Sequence, residues 1–187
     1  MIEQMPWLLI DVGNTAIKWR LANAEVLLDA GNSVSDVSSL CEAVEAERWG
    51  VAGLASVAGD AADAELIAAL TASGARAVHR ATAQSTCLGL VSSYADPERM
   101  GVDRWLAMLA AHARTEGALC VIDAGTAVTV DLVSAEGVHE GGYILPGADL
   151  MRRALSSETE RIQVGTLEAP AIAPGHNTQA CVTAGSW

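Results

Sequence analysis

Two short stretches of this chain could hold phosphate. Asp11-Val-Gly-Asn-Thr15 follows the apolar run Trp7 to Ile10, and Asp123-Ala-Gly-Thr126 follows Leu119 to Ile122. A carboxylate at a strand end is fixed by the sheet behind it. It suits Mg2+, which takes oxygen ligands and keeps several waters. The glycine two residues on has no Cβ, so a phosphate could approach the backbone closely. Successive turn N–H groups can form a concave anion site, and Asn14, Thr15 and Thr126 add side-chain donors. One Asp-x-Gly alone is equally an ordinary hairpin turn. Two copies after apolar strands favour a nucleotide site, in which two facing hairpins would grip a triphosphate. The chain has neither a G-x-x-x-x-G-K-[ST] loop nor a G-x-G-x-x-G fingerprint, which sets aside the two commonest alternatives.

Between the copies lies Gly101-Val-Asp103-Arg104-Trp105, at a helix start. Asp103 falls in the first turn, where the helix dipole favours a carboxylate. It could be a plain N-terminal cap. It could also accept a proton from an attacking hydroxyl, and phosphoryl transfer needs little beyond that, positioning and charge neutralisation. Arg104 could fork onto a carboxylate or phosphate, or form a surface ion pair.

The elements that must position these residues follow from periodicity. Trp7 to Asp11 is a strand, and Ile17 to Leu21 alternates as a half-buried second strand. Glu25 to Ala30 closes a meander, and Asp36 to Glu47 reads as a helix capped by Ser35 or Asp36. Strands are expected at 50–57 and 75–78, and a helix at 60–73. Cys87 to Val91 is a further possible strand, and Tyr94 to Pro97 a loop. Val102 to Thr115 is a helix with Trp105, Leu106, Leu109 and Ala110 on its apolar stripe. The opening pattern then returns: strands at 119–123, 128–133 and 139–145, and a helix from Asp149 to Ser157. Another helix starts at Thr178. This internal duplication implies two related lobes, 1–116 and 117–187.

Composition narrows the function classes. A net charge of −12, with ten Arg and the single Lys18, repels nucleic-acid phosphates and anionic lipid heads. Phosphate would have to be neutralised mostly by metal ions and backbone N–H groups. No apolar run approaches the length of a membrane span, and no signal peptide is evident. Neither nucleic acid nor membrane is an expected partner. Cys41, Cys87, Cys120 and Cys181 form no C-x-x-C. Three of them lie in apolar surroundings and read as buried free thiols, which suits a reducing cytosol.

Asp11-Val-Gly-Asn-Thr15, Gly101-Val-Asp-Arg104, Asp123-Ala-Gly-Thr-Ala127 and Gly141-Gly-Tyr-Ile-Leu-Pro-Gly147 together resemble the ordered motifs of type III pantothenate kinases. Some members of that family are called Bvg accessory factors. The resemblance implies an α/β fold of duplicated actin-like (ribonuclease H-like) lobes, with mixed sheets flanked by helices. It implies ATP-dependent phosphorylation of pantothenate, the first step of coenzyme A biosynthesis, by a cytoplasmic homodimer. Asp11, Val12, Gly13, Asn14, Thr15, Ala16, Ile17 and Lys18 match the first ATP loop, and Thr126 an ATP contact. Asp11 would position Mg2+, and Asp123 matches the ligand of a monovalent cation, K+ or NH4+. Asp103 matches the general base. Tyr94, Gly101, Val102, Asp103, Arg104 and Thr178 match the pantothenate site.

Blander readings stay open. Tyr94 could merely pack a loop, Asp123 could be a second Mg2+ anchor, and Thr178 could be a helix cap. Asp131 reads as structural, Trp105 as core, and none of His79, His112, His139 and His176 as catalytic. Family members run well past Trp187, so the second lobe is expected to be truncated. Two rival functions remain: a nucleotide-binding regulator without kinase turnover, and an actin-like phosphotransferase for a sugar or acetate.

Overall fold

The computed structural model describes residues 5–13, 15–23, 27–33, 37–44, 49–158 and 173–186; at 32, 33, 37, 42, 43 and 158 it describes the backbone alone. Chain contacts divide it into two compact units, Met1–Arg114 and Thr115–Trp187.

In the first unit, β1 (Trp7–Val12), β2 (Ile17–Ala22) and β3 (Leu27–Ser33) form an antiparallel meander. β4 (Val51–Ser56) pairs parallel to β1, and β5 (Ala77–Arg80) parallel to β4, giving the order β3-β2-β1-β4-β5. Side chains alternate across a strand. Leu8, Ile10 and Val12 are therefore buried while Trp7, Leu9 and Asp11 face outward. The buried set meets Trp19, Leu21, Ala52 and Leu54 from the neighbouring strands. It also meets Leu40 of α1 (Val37–Ala43) and Leu66 and Leu70 of α2 (Asp60–Ala72).

Several boundaries differ from the expected ones. β3 runs on to Ser33, because Ser33 pairs with Ile17. Residues 25 and 26, the cap candidates Ser35 and Asp36, and 45–47 lie outside the described residues. β5 starts at Ala77, two residues later than expected. Arg76 N–H donates to Gly50 O at 2.8 Å and Ala77 aligns with Val51, so the parallel neighbour sets the register. The expected strand at 87–91 is a tight hairpin of β6 (Thr86–Cys87) and β7 (Leu90–Val91). Its turn residues Leu88 and Gly89 both have positive φ, 47° and 86°, as the favoured two-residue hairpin turn requires.

α3 (Val102–His112) ends three residues early and buries Val102, Arg104, Trp105 and Met108. Leu106 and Ala110, expected on its apolar stripe, are exposed. Two apolar arcs overlap on this helix, and its contacts with β4 and β7 select the one containing Met108.

In the second unit, β8 (Leu119–Ala124), β9 (Ala127–Val133) and β10 (His139–Pro146) form a second antiparallel meander in the order β10-β9-β8. α4 (Ala148–Glu158) follows and packs on β10; α5 (Thr178–Gly185) comes after. At the buried positions of this meander, Val133 stands beside Asp131 and His139, whose Nε2 lies 3.0 Å from Asp131 Oδ1. The opposite face carries Ile122, Leu132, Tyr143 and Leu145, all exposed. None of the four cysteines is buried: Cys41 and Cys87 are half-buried, and Cys120 and Cys181 exposed. The buried-thiol expectation fails because Cys120 lies on that outward face and Cys181 on the outer side of α5. All four are free thiols.

Candidate active site

The first Asp-x-Gly sits where β1 ends. Asp11 is exposed at the strand terminus and pairs in register with Lys18 across the hairpin. Both line a cavity of about 620 Å3 on the outward face of the sheet, with Leu9, Arg20, His79 and Leu106. Val12 and Ile17 turn their side chains toward the core, so a ligand could meet them only through the main chain. Val12 O already accepts from Val57 N–H at 3.1 Å, which ties the loop after β4 to the end of β1. Gly13 N–H donates to Ala16 O at 3.1 Å and closes the turn. Thr15 is exposed, and Asn14 lies outside the described residues.

The second Asp-x-Gly has a shorter turn. Ala124 pairs with Val128, and Gly125 N–H donates to Ala127 O at 2.9 Å. Asp123 and Thr126 are exposed at the end of β8 and in the turn. Gly147 N–H donates to Thr126 O at 2.9 Å, and a Cβ on Gly147 would run into the carbonyl oxygens of Gly125 and Thr126. Glycine at 147 is thus what lets the start of α4 back this turn.

At the start of α3 the structure brings five candidate residues together. Asp103 is exposed and its Oδ1 accepts from Arg104 N–H at 2.8 Å. The N-cap position belongs to Gly101, which makes no side-chain cap bond; Asp103 lies inside the helix and is not the cap. Arg104 is only 6% exposed, which rules out the surface ion pair. Its Nη1 donates to the Tyr94 hydroxyl at 3.1 Å, and the guanidinium carbon lies 6.0 Å from the Tyr94 ring centroid. Tyr94 therefore does more than pack a loop: it holds the arginine in place. Trp105, at 1% exposure, is core.

Gly101 and Val102 also line a polar cleft of about 680 Å3. It opens between the carboxyl end of β4, at Ser56 and Val57, and the starts of α2 and α3. Clefts beyond the carboxyl ends of parallel strands are the usual ligand positions of α/β sheets. Arg80 lines both cavities and was missed in the sequence, where β5 was expected to stop before it. Its Nη1 pairs with Asp60 at 2.9 Å and its Nε lies 2.8 Å from buried Asp63. That second contact is an ion pair by distance, although no donor among the described residues is aligned with either Asp63 oxygen. A strand-end arginine facing an Asp-x-x-Asp helix start was the available signal.

Thr178 is exposed in the first turn of α5. The cap is its neighbour Asn177, whose side-chain oxygen accepts from Ala180 N–H at 2.8 Å, so Thr178 is left for another role. Among the described residues no cluster of three or more His, Cys, Asp or Glu could hold a metal by itself.

A mixed sheet flanked by helices, with carboxylates near strand ends and at a helix start, defines an α/β protein. The profile of the type III pantothenate kinase family matches residues 7–187, and the chain belongs to that family. A type III pantothenate kinase of Marinobacter nauticus is 41% identical over 190 residues, covering 96% of this chain and 75% of the relative. One from Pseudomonas aeruginosa is 37% identical over 183 residues, covering 94% and 74%. The crystal structure of a Baf family protein from Campylobacter jejuni shares the fold, with a TM-score of 0.58 at 19% identity over 95% of this chain and 72% of that one.

Proposed function

We propose that this protein transfers the γ-phosphoryl group of ATP to the primary hydroxyl of pantothenate, giving 4'-phosphopantothenate at the entry to coenzyme A biosynthesis. Family membership supports the reaction. The observation that carries the site is the start of α3, where an exposed Asp103 carboxylate stands next to a buried Arg104 braced by Tyr94. Asp103 takes the proton of the attacking hydroxyl. Arg104, Tyr94, Gly101, Val102 and Thr178 bind pantothenate. A guanidinium suits its carboxylate, because planar donors match carboxylate geometry.

Asp11 to Lys18 and Thr126 bind ATP. Because the two turn glycines close their own turns with their amides, the hydroxyls of Thr15 and Thr126 and the ammonium of Lys18 take a larger share of the phosphate contacts. Asp11 fits Mg2+ as its one protein carboxylate, since that ion draws its other ligands from phosphates and water. Asp123, a hard oxygen donor, fits K+ or NH4+ as one ligand among several. When bound, such cations neutralise the charge on the phosphates. The working form is a cytoplasmic homodimer of two actin-like lobes, 1–116 and 117–187. The repeated meander order supports the duplication. No described helix is long and apolar enough to cross a membrane.

Asp103→Asn tests the reading in a coupled ADP-release assay with pantothenate and K+. Turnover should fall by about 10²–10⁴-fold, the usual worth of a positioned base, with ATP binding retained. Near-normal turnover removes Asp103 from that role. Wild-type protein that binds ATP but releases no ADP with pantothenate would instead favour the regulatory reading.

A further inference from the structure

We propose that Gly101 is a positioning residue, whose missing side chain is the seat of the Asp103 carboxylate. The inference rests on the reading of Asp103 as the base. Gly101 has φ −55° and ψ 126°, a conformation open to every L-residue, so no turn or strain demands glycine here. What a side chain would meet is specific. A Cβ built on Gly101 stands 2.5 Å from Asp103 Oδ1 and 3.6 Å from its Cγ; the next atom, Arg104 Cδ, is 4.0 Å away. Among the described residues, nothing but the carboxylate crowds the position.

The carboxylate thus folds back over the Cα of Gly101, where Oδ1 accepts the Arg104 amide at 2.8 Å. That amide is one of the first four of the helix, which have no partner within it. Two independent features therefore fix one rotamer: a donor on one side and an empty Cβ volume on the other. The residue remains exposed and so accessible to a substrate hydroxyl. With a methyl group at position 101 the carboxylate must swing away and release the Arg104 amide. The protein should still fold, because the atom displaced is the end of a side chain.

The test is a cycle of Gly101→Ala, Asp103→Ala and the double variant, read two ways. In the first, the amide resonance of Arg104 is followed by NMR. It should move in both single variants, and the double variant should match Asp103→Ala. In the second, kcat should fall roughly 10–100-fold in Gly101→Ala, the scale of an ångström's misplacement. The KM for ATP should stay within about twofold, and the substitution should cost nothing further in the Asp103→Ala background. An unmoved Arg104 amide in Gly101→Ala overturns the inference. So does an equal kcat loss in both backgrounds, which would mean that the methyl group acts without moving the carboxylate. If the amide shifts are coupled while Asp103→Ala keeps its turnover, the base assignment fails and the seat stands.

Discussion

The two Asp-x-Gly hairpins begin alike and are held differently. In the first, β1 lies inside a five-stranded sheet and its buried face is wholly apolar. The turn is braced by the loop after β4 through Val57 N–H on Val12 O. In the second, β8 is an edge strand of the described sheet, and the meander buries an Asp131–His139 pair. Its turn is braced by the backbone at Gly147. A repeated motif thus preserves where the carboxylate sits without preserving what keeps it there.

The largest effect should come from the buried pair. Asp131→Leu alone should destabilise by about 3–5 kcal/mol, since it removes one member of a buried, hydrogen-bonded pair. Asp131→Leu with His139→Leu should cost much less, because apolar replacement of a whole pair is often tolerated. Urea unfolding of both variants measures this; equal losses in the single and the double variant would mean the pair is not a unit. In the first unit the counterpart of such a loss is a cavity: Leu8→Ala should cost about 2–5 kcal/mol.

The turn braces separate next. Gly147→Ala should cost about 1–3 kcal/mol by forcing the backbone apart. Gly13→Ala should be nearly neutral for stability, as among the described residues its Cβ would meet Ala16 O alone, at an ordinary 3.4 Å. Thermal melts of both decide whether the asymmetry is real. Asn177→Ala should then cost about 0.5–2 kcal/mol as a lost cap. Thr178→Ala should leave the melt alone and raise the KM for pantothenate.

The smallest effect lies in the loop between β9 and β10. The Ser134 hydroxyl, and then its own backbone amide, hold the Glu136 carboxyl below its ordinary value. A lowered carboxylate adds stability above the unfolded value, lost as pH falls through the folded one. Glu136 is fully exposed, so the check is an NMR titration: Ser134→Ala should move its pKa upward.

Where a periodic signal was local, it was readable. The duplicated strand–Asp–x–Gly–strand units follow from side-chain alternation, and the course of α2 and α4 and the apolar role of Trp105 from helical patterning. What failed depended on neighbours. β5 slid by two residues to match β4, and α3 turned Met108 inward in place of Leu106. Cys120 lost the cover its apolar surroundings suggested. Arg80 was missed because its partners Asp60 and Asp63 lie a whole helix earlier in the chain, and only the fold brings them to it.

By itself the order of residues determined the motifs, their place at strand ends, and the family. These are carried by short-range patterns of polarity and by residue identities that chemistry constrains. Only the tertiary structure decided that Arg104 is buried against Tyr94, that Asn177 and not Thr178 caps its helix, and that Gly101 leaves room for a carboxylate. Each depends on where atoms distant along the backbone, or a rotamer choice, place a few ångströms of volume, and one-dimensional spacing does not encode that.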